Sequence, residues 1–225
     1  MEVLGIDGCR AGWLVARARL GPGDQITEFE IALEPSIAPV LERARATGVP
    51  TALDMCIGLP DRDRRTADIA ARKALGPRRS SVFAAPVRSL LDCASYAEAN
   101  LRSRETSGRG LSIQTWNLVA KIAEVDSAIE PDDQAWLAET HPELAFARLA
   151  GRPLAHPKRQ LQGREERRAV LGRGLPSAPP RGAAWDDVLD AVALCHAALA
   201  RSRGQGRRLG DGELDSRGLR MEIWG

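Results

Sequence analysis

Five carboxylates stand where this chain builds candidate acid chemistry. Asp7 follows the apolar run "VLGI", Asp54 follows "PTAL", and Glu139 ends a short segment, 135–138. In "WDDVLDAVAL" (185–194), Asp187 and Asp190 are spaced i, i+3 and share one helical face. Such acids would repel one another without a cation. Hard oxygen donors suit Mg²⁺ or Mn²⁺, and two ions about 3.5–4 Å apart promote hydrolysis of a phosphodiester. Each acid also has a plainer reading. Asp-Gly at 7–8 is a common turn signature. Asp186 and Asp187 favour a helix N-terminus through its dipole, and Glu139 is a capping acid before Pro142, a role for which Glu143 competes. Asp190 lies between Leu189 and Ala191, near a buried face where an unpaired carboxylate is costly.

The elements that must position these acids read as follows. Val3–Ile6, Trp13–Ala18 and Ile26–Leu33 form an antiparallel meander, with Gly8 and Gly12 allowing a tight connection. Ser36 is the expected cap of a helix running to about Ala46. Pro50–Asp54 is a buried strand. Residues 61–132 read as a mostly helical insertion, with helices over Asp63–Leu75, Ser95–Arg104 and Ser112–Ile129. A fifth strand spans Ala135–Ala138, and helices follow over Glu143–Ala150, Gly163–Leu171 and Trp185–Arg201. An edge strand is expected near Leu219–Trp224. Three meander strands followed by alternating units predict an α/β fold. It is a five-stranded mixed sheet with flanking helices, in one domain over 1–225. In such sheets, sites gather at the carboxyl ends of strands.

Composition narrows the setting. No apolar stretch is long enough to span a bilayer, and no secretory leader is evident. Cys9, Cys56, Cys93 and Cys195 make no C-x-x-C pair, which fits a reduced, cytoplasmic protein. The formal charge is +2, which argues against a strongly basic coat for nucleic acid but permits a local patch. Lys73, Lys121 and Lys158 are the sole lysines, so arginine carries almost all positive charge. Arginine forks match phosphates, although a composition rich in Ala, Arg and Gly accounts for them equally.

Candidate substrate contacts are Arg10, Arg78, Arg79, Ser80, Arg88, Lys121 and His141. Ser81, Lys158, Arg159 and the arginines of 164–168 are possible extensions of that track. Lys121 and Glu124 also read as an i, i+3 ion pair, and His141 as a hydrogen-bonded turn residue. Apolar residues near Ile223 and Trp224 either offer a homodimer surface or pack on the core.

The segments "GIDGCRAGW", "LDMCIGLP", "RRSSVFAAPVR", "GLSIQTWNLVAKIAEVD", "ETHPELAF" and "WDDVLDAVAL" together resemble domain-of-unknown-function family 429, within the ribonuclease H-like superfamily. They cover nearly the whole chain in order. The family tends to carry proline where Cys56 stands. The resemblance implies a ribonuclease H-like fold and a metal-dependent nuclease acting on DNA or RNA. Holliday junction resolvases of that superfamily place acids on strands one and four and on the last helix. By that likeness Asp7, Asp54, Asp187 and Asp190 are expected metal ligands, with Glu139 as a further catalytic acid. Two other classes stay open: a nucleotide-binding phosphotransferase of the actin-like sugar-kinase type, and a non-catalytic nucleic-acid-binding module.

Overall fold

The computed structural model describes residues 1–225, apart from the side chain of Asp24. Strands β1 (Glu2–Cys9), β2 (Gly12–Leu20) and β3 (Ile26–Glu34) form the antiparallel meander. β4 (Thr51–Asp54) and β5 (Leu137–Glu139) complete the sheet in the order β3-β2-β1-β4-β5. β1 pairs parallel with β4, and β4 with β5. This strand order and these directions give the five-stranded mixed sheet expected from the sequence.

The strand period of two sorts the side chains onto two faces. Val3 of β1 and Ala52 of β4 face one core, which is closed by α7 (Trp185–Ser202) and α5 (Pro142–Ala150). Leu4, Ile6 and Leu53 face the other, closed by α1 (Ala38–Thr47) and α4 (Ile113–Ala128). Helix α7 buries residues all round, because it lies between the sheet and α5 and α6 (Leu161–Leu171). Helices α2 (Thr66–Leu75) and α3 (Tyr96–Ser107) lie in the region between β4 and α4.

Two local expectations are corrected and one open alternative is decided. β1 does not turn at Gly8. It runs through Asp7 to Cys9, and Arg10 and Ala11 form the hairpin turn, with Gly12 at φ 142°. Hydrogen bonding to β2 continues past the acid, so Asp7 sits inside a strand. Ser36 does not cap α1 in the expected way. Ile37 is the N-cap residue, and its N–H donates to Glu124 Oε1 of α4 at 2.7 Å. Ile223 and Trp224 do not form an exposed apolar edge. They form β7 (Ile223–Trp224), paired with β6 (Arg208–Leu209). Ile223 is buried against Ala67 and Leu144, which is the core-packing alternative.

Candidate active site

The register of β1 and β4 puts Asp7 directly opposite Asp54. Counting by two from Val3 and Ala52, both acids fall on the α7 side of the sheet. Gly5, two residues before Asp7, lets α7 approach. A Cβ there would stand 2.1 Å from the Ala191 carbonyl oxygen and 2.6 Å from the Cys195 nitrogen. That close packing brings Asp190, the neighbour of Ala191, to the same place. Asp7, Asp54, Asp187 and Asp190 all line one cavity of about 400 Å³, together with Glu139, His141, Lys158 and Arg159.

The electrostatics of these acids are unusual. Burial, then the charges of Asp54 and Asp190, hold the Asp7 carboxyl well above the ordinary aspartate value. Burial raises Asp54, against the opposing pull of His141 and Lys158, and Asp7 and Asp54 lie close enough to share a hydrogen bond. Burial pushes Asp190 up to about 6 even though Lys158 opposes it. The Lys158 ammonium donates to Asp190 Oδ2 at 2.7 Å and also feels Asp7 and Asp54. One lysine therefore answers three clustered carboxyls.

The other expected site residues divide. Asp187 lines the cavity, but its Oδ2 accepts the Ala184 N–H at 3.1 Å, so it caps α7. Glu139 also lines the cavity, yet its carboxylate is saturated. Arg65 donates to both oxygens at 2.7 Å, and the Ile57 N–H adds a third bond at 2.7 Å. His141 caps α5, with Nδ1 accepting the Glu143 N–H and Nε2 against the Ser81 carbonyl. Glu143 instead pairs with the buried Arg167, which takes that arginine out of the expected basic track.

Arg10, Arg79 and Ser80 are exposed. Arg78 is half-buried and donates to the Leu154 carbonyl. Arg88 is not a free phosphate contact: it bridges Asp126 and Asp215. Lys121 does not pair with Glu124. Its ammonium donates to the Gly12 carbonyl at 2.7 Å and lies 4.4 Å from the Trp13 ring centre. Glu124 accepts from Trp13 Nε1 and Ile37 N, so these two α4 residues clamp the β1–β2 hairpin and the start of α1 to α4. Arg65 carried no signal in sequence, because its partner Glu139 is 74 residues away.

The model of the family described as "Protein of unknown function (DUF429)" matches residues 5–214. The chain belongs to this family. No curated protein matches it. Among solved structures it is similar to RuvC of Thermus thermophilus, at 14% identity and a TM-score of 0.41, covering 91% of this chain and 98% of that one. It is also similar to T. thermophilus RuvC in complex with Holliday junction substrate, at 14% identity and a TM-score of 0.37, covering 91% and 97%.

The cluster's fit to a divalent cation has two parts. Among the described residues, no three His, Cys, Asp or Glu side chains are set to hold a metal ion between them. The donor chemistry does fit: Asp7 and Asp190 are buried, Asp54 is half-buried, and all three are hard oxygen donors short of positive charge. In the present arrangement the cation beside them is the Lys158 ammonium.

Proposed function

We propose that this protein is a metal-dependent nuclease that hydrolyses phosphodiester bonds of nucleic acid. The observation that carries the reading is the side-by-side placement of Asp7 and Asp54 under Asp190, in an open cavity at the carboxyl end of β1 and β4. Buried acids left short of counter-charge are costly to stability, and functional sites are where such cost is retained.

Asp7, Asp54 and Asp190 would hold Mg²⁺ or Mn²⁺, with Asp187 close enough to join from the first turn of α7. The cation supplies Lewis-acid activation of water and charge neutralisation at the phosphate. The chain's own residues do the positioning. The β1–β4 ladder fixes two carboxylates in register, and α7 is held on β1 through Gly5. Arg159 at the cavity, and the exposed Arg79 and Ser80 next to the cavity-lining Ser81, would meet backbone phosphates flanking the reacting one. His141, with both ring nitrogens engaged, orders the cavity wall.

The test is cleavage of a panel of single-stranded, duplex and branched DNA and RNA by the purified chain, with Mn²⁺, Mg²⁺ or chelator. Cleavage should require the metal and fall at least about 100-fold in Asp7→Asn, the scale of removing a main electrostatic contributor. Equal cleavage by wild type and Asp7→Asn would sink the assignment.

A further inference from the structure

Lys158 was read in sequence as one member of a phosphate-binding track. In the structure it turns inward. Its ammonium sits on Asp190 Oδ2 at 2.7 Å, with the Asp190 side chain 4% exposed and the lysine side chain 44% exposed.

The segment carrying Lys158 is built to stay there. Glu166 of α6 accepts the backbone N–H groups of Ala155 and His156, each at 3.0 Å. The buried Arg167 donates to the His156 carbonyl at 3.2 Å. Gly163 of α6 makes room for the next residue: a Cβ at that position would stand 2.0 Å from the Pro157 carbonyl oxygen. Three consecutive residues upstream of Lys158 are thus fixed from one helix. At the other end of the ion pair, Asp190 is fixed by α7 packed on Gly5.

A two-ion site needs roughly two divalent charges to balance its acids and the phosphate. Here one position next to Asp190 already holds a positive charge covalently tied to the chain. We propose that Lys158 is a built-in cation of the carboxylate site, standing where a second metal ion would otherwise bind, so that each chain takes one divalent ion. This inference rests on the nuclease reading and specifies its charge balance. Lys158 acts as a positioning residue. It holds Asp190 by a charge-assisted bond and supplies fixed positive charge beside the place where a phosphate would enter.

The experiment is Mn²⁺ binding to the full chain by titration calorimetry, with free Mn²⁺ counted by electron paramagnetic resonance. Wild type and Lys158→Arg should bind one ion per chain at the cluster, and Asp7→Asn should lose it. Lys158→Met should bind two. Gly163→Ala, which displaces the segment without touching the lysine, should shift toward the Lys158→Met stoichiometry. Two ions in wild type, both lost in Asp7→Asn, would overturn the role of Lys158 and leave the nuclease reading standing. A single ion in Lys158→Met, whether tighter or unchanged, would also overturn it, because the lysine would then compete with the ion or be irrelevant to it. No Mn²⁺ bound by any of these proteins would overturn both readings.

Discussion

Two buried acid clusters lie one strand apart in this molecule, and they are handled differently. At β5, Glu139 receives two bonds from Arg65 and one from the Ile57 N–H, while Asp68 takes a further Arg65 bond at 2.6 Å and the Ala85 N–H at 2.9 Å. At β1 and β4, Asp7, Asp54 and Asp190 have a single lysine among them. Both clusters border the same cavity. The first is closed by its own partners, and its work is to fasten β5 to α2 and the loop after β4. The second has one ion pair, Lys158 to Asp190, and burial raises the pKa of all three of its acids. Hydrogen-bond saturation, not proximity to the cavity, is what distinguishes the two clusters.

Breaking the saturated cluster should cost the most stability. Arg65→Met strands Glu139 and Asp68 in the core and should destabilise the chain by about 3–5 kcal/mol in urea denaturation. Removing charge from the other cluster should do the opposite. Asp7→Asn should stabilise the metal-free chain by roughly 1–2 kcal/mol, the usual scale when a functional strain is relieved, while abolishing Mn²⁺-dependent cleavage. A loss of stability in Asp7→Asn comparable to that of Arg65→Met would erase the distinction between the clusters.

Acidity sharpens the same contrast. Asp190 titrates at about 6 in the fold against 3.8 ordinarily. Across that interval Asp190 keeps its proton in the folded chain and loses it in the unfolded one. It should therefore contribute a fall in metal-free stability of up to about 3 kcal/mol as pH rises from about 4 to about 6, opposite in sign to the contribution of the depressed carboxyls of Glu124, Asp133, Glu166 and Asp215. Mn²⁺ affinity should rise over the same interval, because the ion requires the deprotonated carboxylate. Denaturation and calorimetry at four or five pH values would check both slopes, and Asp190→Asn should remove this contribution to the stability slope.

The smallest effect concerns Asp187. It sits at N3 of α7 and accepts the N–H of the N-cap residue Ala184, so Asp187→Ala should cost about 1 kcal/mol. Asp187→Asn, which keeps an oxygen of the same reach, should recover that stability. Cleavage that also recovers in Asp187→Asn assigns the residue to α7 alone; cleavage that stays low makes it a ligand as well.

Much of this contrast is legible in the chain, and the illegible part has a physical cause. Asp7 and Asp54 stand out because each follows an apolar strand core, and parallel pairing of β1 with β4 makes them neighbours. Asp190 stands out because an acid in the apolar run "VLDAVAL" must face something. Saturation is invisible in sequence, since it is settled by long-range partners: Arg65 with Glu139, Glu124 with Ile37, Arg88 with Asp126. Arg88 and Lys121 therefore look like free cations until the fold spends them. Lys158 is read outward for the same reason, because Glu166 and Gly163 set its direction. Gly8 is a misleading punctuation mark. Its missing side chain serves close packing by Met55 and Lys121, and the turn comes two residues later.

If Asp7, Asp54 and Asp190 form a cation site, a crystal soaked in Mn²⁺ should show an anomalous peak with carboxylate oxygens of these three residues about 2.0–2.6 Å away, absent from an Asp7→Asn crystal. Peaks confined to other surfaces, with the three carboxylates unchanged around Lys158, would contradict it.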